Sequence, residues 1–313
     1  MEDRADLIIA RTIGQPIDPN LQVPVVISEI AEVEFAEAGE EVKYYASYDA
    51  NVDDVYTADA NGALTIHKLT ANAGTTFVFQ GLQSKLEHVL FNDVFAGVEG
   101  NKPDTGVLAR KKAAITRAMD KEEVRRICAA CLGLPGQEVA QTTGIDLYDL
   151  IVGLVHKIED YGDNYVLLVG SSVKASIDTY DKDNADNFNY KVGLQEYLKN
   201  TGITVIKVAG TFTNSSGASQ RMLAMNKMIL IARDSSIGAK GLKPILFVRR
   251  KVSPEMVKRA GAEGDMTRWV NVAHDPVITD GTNNLLAYGV FGFESVIEAI
   301  TNAYAISWST YTP

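Results

Sequence analysis

A chain that carries GVLARKKAAITRAMDKEEVRRICAACLGL, Gly106 to Leu134, has to accommodate a helix longer than a small domain is wide. No other stretch favours helix over so great a length. Leu108, Ile115, Ala118, Met119, Ile127 and Cys131 recur near helical spacing, which lays one apolar stripe along a basic helix. Asp120 followed by Glu123 has the form of a capping box, so the run also reads as two helices meeting at Asp120. Gly133, Pro135 and Gly136 close it. Continuous, it extends about 40 Å at roughly 1.5 Å per residue, the length of a strut.

The sequence before the strut is of a different kind. Residues 1–39 contain Gly14, Pro16, Pro19 and Pro24, then an acidic tract from Glu29, with little periodicity, and read as an arm rather than a domain. Glu41 to Gln80 turns to strands: VKYYASY, VYTADANGALTIHKL and TTFVFQ, separated by Asp-, Asn- and Gly-bearing turns. Tyr44, Tyr45, Tyr48 and Tyr56 supply stiff amphipathic area, but the aliphatic content is too thin for a core. A lone hairpin is marginal in water. This long antiparallel excursion must therefore lie against the body of its own chain or against a neighbouring subunit. Leu82, Leu86, Val89, Leu90 and Val94 give Leu82 to Phe95 the pattern of a helix.

Beyond the strut, Asp146 caps an amphipathic helix whose Leu147, Leu150, Ile151, Leu154, Val155 and Ile158 share one face, stopped by Tyr161-Gly162-Asp163. Tyr165 to Val169 is wholly apolar, as in a strand buried on both faces. A helix follows from Ser171, then a polar loop Asp181 to Asn189, a short helix Tyr190 to Leu198, a strand Ile203 to Val208 and a loop Thr211 to Gln220. Further strands are expected at Met228–Ala232, Pro244–Val252, Trp269–Ala273 and Leu285–Phe293, with a helix starting at Pro254 and a strand pair or strand and turn over Ile297–Trp308. Helices and strands interleave without a repeated βαβ period.

Chemistry is harder to find. A net charge of -10 argues against a duplex-gripping protein, and the two basic clusters, Arg110-Lys111-Lys112 and Arg249-Arg250-Lys251, read as solvated faces or subunit contacts. Cys128-x-x-Cys131 lacks two further zinc ligands, since His67, His88, His156 and His274 are scattered. It sits at a helix end rather than at the start, where a redox pair belongs, so both cysteines read as small packed residues. Gly170-Ser171-Ser172 has the form of a phosphate-cradling turn without the remaining glycines or the Gly-Lys of a P-loop. Asp49-x-Asn51-x-Asp53 and Asp181-x-Asp183 begin like calcium loops and lack the later Gly and Glu. No catalytic, cofactor or metal residues are assigned, and no enzyme activity is expected. No apolar run reaches the roughly 18 residues of a membrane span, and the acidic start MEDRAD lacks the basic flank of a secretory signal, so a cytoplasm-like medium is expected.

The order of these elements carries a resemblance. An irregular arm, a two-stranded excursion, a strut and a compact α/β part continue through DLYDLIVGLVHKIEDYGDNYVLLVGSS and ILIARDSSIGAKGLKPI to LLAYGVFGFESVIEAITNAYAISW. Over nearly its whole length this resembles the major capsid proteins of tailed bacteriophages, the Hong Kong 97 fold that encapsulin shells share. The family has no invariant motif to match.

The resemblance implies an α+β fold with residues 1–39 as an N-terminal arm and 40–80 as an extended β-hairpin, the extension loop. It makes 81–145 with 237–295 a peripheral domain around the spine helix, and 146–236 with 296–313 an axial α/β domain. Asp181–Asn189 and Thr211–Gln220 become axial tip loops, and Leu285–Phe293 a peripheral strand. Tyr44, Tyr45, Tyr48, Tyr56, Phe77 and Phe79 become candidate subunit-interface residues, because the extension loop of this family lies over an adjacent subunit. The implied function is structural: copies of the chain form pentamers and hexamers of an icosahedral virion shell around double-stranded DNA, assembled in a bacterial cytoplasm. Residues 1–39 are shorter than the scaffolding segment of many relatives, so a separate scaffolding protein is expected, together with a portal and, in some relatives, a decoration protein. An encapsulin-like compartment and a cytoplasmic α/β enzyme using the Gly170 turn are the alternative readings.

Overall fold

A computed structural model describes residues 27–38, 40, 42–44, 75–77, 79–89, 105–142, 145–183, 193–213, 218–234, 243–259, 266–274 and 288–312. The strut is one unbroken helix, α2 (Thr105–Leu132), following the single turn α1 (Ile27–Ile30). No break occurs at Asp120. Its C-terminal end closes where Gly133 N donates to Ala129 O at 3.0 Å and Gly136 takes a positive φ of 73°. The buried line is Ile115, Met119, Glu123, Ile127 and Cys131, joined towards the end by Val124 and Cys128. A line through every fourth residue winds about 40° round the helix per step. Ala118, placed on the apolar stripe by its spacing, therefore turns to solvent.

That winding lets α2 meet two sheets. The first joins β1 (Glu32–Ala36), β4 (Gln80–Val89), β10 (Ile245–Arg250), β11 (Arg268–His274) and β12 (Tyr288–Ile300). β12 is its axis, antiparallel to β10, β11 and β4, while β1 runs parallel to β10. Ile245, Phe247 and Val296 belong to the core cluster that contains α2. Leu246, Val248, Ile297 and Ala299, at alternating positions, form a smaller cluster with Ala36.

The second sheet runs β13 (Ile306–Thr310), β9 (Lys227–Asp234), β5 (Asp163–Val169), β6 (Thr204–Lys207). Alternation divides its strands between two cores, as the apolar run at 165–169 requires. Val166, Leu168, Ile229 and Ile231 join the α2 cluster. Leu167, Val169, Met228 and Leu230 join α3 (Leu147–Ile158), α4 (Ser171–Asp183) and α5 (Leu194–Asn200). All six expected core residues of α3 are buried, and the Asp146 carboxylate accepts from Asp149 N at 2.9 Å.

Several expectations give way. Leu82–Val89 is strand, not helix: it pairs with β12 in continuous register from Gln80 to Leu86 and, past a bulge, again at Val89, and long-range pairing overrides a five-residue helical pattern. Residues 90–95 lie outside the described set. Glu32–Ala36, read as arm, is an edge strand of the first sheet, with Ile27, Ile30 and Ala31 buried ahead of it. Asp181, read as loop, lies in the last turn of α4 and accepts from Leu194 N at 2.7 Å, so it caps the next helix, described from Leu194; Tyr190 lies outside the described residues. Thr211–Gln220 contains paired strands, β7 (Thr211–Thr213) and β8 (Ser219–Arg221). β12 runs on through Ile300, where the sequence suggested an end at Phe293, and a 3-10 turn at Ala303–Ala305 leads into β13. The last α-helix, α6 (Pro254–Arg259), starts at Pro254 as expected.

Gly170 marks the closest backbone approach in the second sheet. A Cβ there lies 2.1 Å from Ala224 O and 2.5 Å from Met225 O. Gly170→Ala is expected to lower stability by about 1–3 kcal/mol, since backbone cannot yield as a side-chain tip can. Gly81→Ala, at a site with nothing within 4 Å, should stay within about 0.5 kcal/mol. Paired thermal melts of the two variants check both.

Candidate assembly surface

The excursion that supplies the candidate interface residues has a closed root. β2 (Val42–Tyr44) and β3 (Thr75–Phe77) pair antiparallel, Val42 opposite Phe77 and Tyr44 opposite Thr75. The two ends of residues 45–74 are thereby held side by side, as a hairpin demands. Of the six aromatic residues, Tyr44 and Phe77 lie in this pair, Phe79 lies just beyond it, and Tyr45, Tyr48 and Tyr56 lie outside the described residues.

Phe79 shows how the root is anchored. Its half-buried ring packs against the Ala36, Leu246, Val248, Ile297 and Ala299 cluster, with the Arg250 guanidinium 3.8 Å from the ring centroid. Arg250 Nη2 also donates to Glu40 O at 2.8 Å, and Lys251 Nζ meets Glu37 Oε1 at 2.6 Å. Glu37 N donates to Glu40 Oε2 at 2.8 Å, closing the turn between β1 and the hairpin.

Within the subunit the Arg249-Arg250-Lys251 cluster is engaged in internal bonds rather than left as a free cationic patch. Strand alternation splits it, sending Arg249 to the opposite face, where it grips Glu123 of α2 with Nε–Oε1 at 2.9 Å and Nη2–Oε2 at 2.6 Å. Arg268 of β11 contacts Asp120 at 2.7 Å, Glu123 at 3.2 Å and Glu294 of β12 at 2.5 Å. Arg126 and Glu298 pair at 2.6 Å. Asp120 and Glu123, which the sequence offers as a capping box, serve this charged seam between helix and sheet. Burial and the neighbouring Glu123 push the Glu294 carboxyl up to about 7, against the pull of Arg268 and Arg249. In the other basic cluster, Lys112 Nζ donates to Asn271 Oδ1 at 3.2 Å.

Cys128 and Cys131 are fully buried free thiols in the α2 cluster, and burial pushes Cys128 up to about 12, the setting of inert packed residues. The Gly170 turn offers no phosphate cradle. The amides of Ser172 and Val173 both donate to Met225 O, and Gly170 N donates to Lys227 O. Among the described residues no group of three or more His, Cys, Asp or Glu is placed to hold a metal, and no helix is long and apolar enough to cross a membrane.

An aromatic surface completes the region. Trp269 and Phe293 sit opposite each other in register with ring centroids 5.6 Å apart, and Phe291 stacks on Phe293 at 6.2 Å. With Met256 and Val252, Trp269 and Phe293 line an apolar cavity of about 300 Å³, to which Arg250 and Lys251 also contribute. Phe293 and Met256 are exposed, as is Phe35 on the edge strand β1. Sequence patterning hinted at strands here, but aromatic pairing across β11 and β12 depends on register, which appears only in the fold.

No protein-family model matches the chain, and no curated protein matches its sequence. Solved structures do. The capsid of Cyanophage P-SCSP1u aligns with a TM-score of 0.52 at 10% identity over 97% of this chain and 94% of that one. A structure from Microbacterium phage Oxtober96 aligns with a TM-score of 0.51 at 15% identity, covering 99% and 98%. The capsid of a native GTA particle aligns with a TM-score of 0.50 at 12% identity, covering 95% and 100%. The chain has the Hong Kong 97-like capsid fold, as the order of its elements led one to expect.

The root of the hairpin is open to direct test. Phe79→Ala removes a ring that bridges the root and the first sheet, and is expected to cost about 1–3 kcal/mol. Phe79→Leu should restore the apolar part while leaving the Arg250 contact unmade. Chemical denaturation of the three proteins at one concentration separates the two contributions.

Proposed function

We propose that this chain is the major capsid protein of a tailed phage: a structural protein whose copies assemble as pentamers and hexamers into an icosahedral shell enclosing double-stranded DNA. The observation that carries this reading is a capsid fold, matched over almost the full length, combined with the antiparallel pairing that holds the two ends of residues 45–74 side by side. On this reading Tyr44, Tyr45, Tyr48, Tyr56, Phe77 and Phe79 make or support the contact with a neighbouring subunit. The hairpin supplies what compact subunits lack, since a shell needs far more contact than the roughly 1,600 Å² of an ordinary pair.

The domain assignment follows the same reading. The first sheet with α2 forms the peripheral part, and the second sheet with α3, α4 and α5 the axial part, which β13 rejoins after β12. The partners are further copies of the chain, a separate scaffolding protein, a portal and, on some shells, a decoration protein, with packaged DNA held by enclosure. A net charge of -10 suits a wall that encloses a polyanion without gripping it. No observation favours the compartment or the enzyme reading, and in the Gly170 turn the Gly170 amide is taken by Lys227 O and those of Ser172 and Val173 by Met225 O.

Electron microscopy of the purified chain, alone and co-expressed with its scaffolding protein, should show closed shells. Monomers under both conditions would overturn the reading. Deleting residues 46–73 and bridging the ends with a Gly-Ser turn should leave a folded subunit with a near-native melt but reduce shell yield at least tenfold by sedimentation. A truncated chain that still assembles at wild-type yield removes the arm from its assigned role.

A further inference from the structure

The seam between α2 and the first sheet holds a charge imbalance. Asp120 and Glu123 enter from α2, Arg249 from β10, Arg268 from β11 and Glu294 from β12, all linked at 3.2 Å or less. Three carboxylates thus face two guanidiniums. The neighbouring Arg126 and Glu298 form their own pair, and Lys112 is tied to Asn271. From β4, Leu82 stands opposite Glu294 in register, flanked two residues away by Gln80 and Ser84, none of which titrates near neutrality. Water reaches Asp120, whose side chain is 34% exposed, but not Glu123 or Glu294, whose side chains are 0% and 1% exposed and which both contact Arg268. Glu294 Oε2 receives Arg268 Nε, while Glu294 Oε1 is buried with no hydrogen-bond partner.

We propose that this seam is a proton-linked clamp: Glu294 Oε1 holds one proton in the folded chain below neutral pH, and its loss at higher pH leaves two buried carboxylates, Glu123 and Glu294, both charged beside Arg268. The upward shift of this carboxyl to about 7 agrees with the geometry. The ordinary value, which the unfolded chain retains, is 4.5. Folding therefore takes up a proton between these two values. The contribution to stability is complete below about 4.5, declines as pH rises and is gone once pH has passed about 7. The clamp is strongest on the acid side, opposite to the behaviour of an ordinary exposed ion pair, whose carboxylate weakens as it protonates. It needs no neighbouring subunit, so its success or failure is independent of the shell reading.

The test is a double difference. Thermal melts of wild type and Glu294→Gln, taken in the same assembly state from pH 5 to 8.5, cancel the titration of every other group. Glutamine mimics the protonated acid, so the two should melt together near pH 5, and the variant should melt roughly 3 °C or more higher at pH 8.5. A difference that is flat with pH, or that favours wild type at high pH, overturns the proposal. Should the variant fail to fold, infrared spectroscopy of the wild type reads the same proton. A protonated carboxyl C=O band present at pH 6 and lost by pH 8 supports the clamp, and its absence at pH 6 overturns it.

Discussion

The fold depends on one helix being buried against two sheets of different chemistry. Along α2 the line of every fourth residue begins apolar, with Ile115 and Met119 so close to β12 that a Cβ on Gly292 lies 2.4 Å from Ile115 Cγ2. It becomes ionic at Glu123 and returns to apolar at Ile127 and Cys131. An apolar seam alone tolerates sliding, since one branched side chain substitutes for another in a neighbouring hole. A buried carboxylate does not, because any shift that leaves it without Arg249 and Arg268 costs several kcal/mol. Buried ion pairs add little net stability; here they set the register between helix and sheet.

The same strand that fixes the helix also fixes the hairpin. Arg249, Arg250 and Lys251 are consecutive, yet alternation points Arg249 at the spine and Arg250 at Phe79, and Lys251 reaches Glu37 beyond the end of β1. Three elements remote in sequence from β10, the edge strand of residues 32–36, the hairpin root and the spine, are thus tied to it by three consecutive residues. A displacement at the root of the hairpin bears on β10, and through Arg249 on the helix.

How much of this could be read from the residues alone follows a physical line. The fold class, the length of α2, the capped helix at 147–158 and the doubly buried run at 165–169 are local patterns, and local patterns survive into the structure. What failed was what depends on a distant partner. Leu82–Val89 took its state from β12, Glu32–Ala36 from β10, and Asp181 capped a helix thirteen residues further on. The basic triplet looked like surface because Glu123, Glu37 and the Phe79 ring are invisible from positions 249–251. Of the candidate interface, only the pairing of its root and the setting of Phe79 can be compared with expectation.

The anchoring of that root bears on the proposed role of residues 45–74 as a binding arm. Residues 44 to 66 contain Asp49, Asp53, Asp54 and Asp59 and no Lys or Arg, and they carry too little aliphatic area to form a core. A free hairpin of this composition would spend most of any contact energy on becoming ordered. Both ends of residues 45–74 are tethered in a paired root, packed through Phe79 onto a sheet tied to α2 by buried charge. On the proposed reading, part of the ordering cost is then met when the subunit folds, before a second copy arrives. The charged seam beneath α2 and the reach of the hairpin are in this sense one device, because a root mounted on a sheet free to slip would lose that advantage.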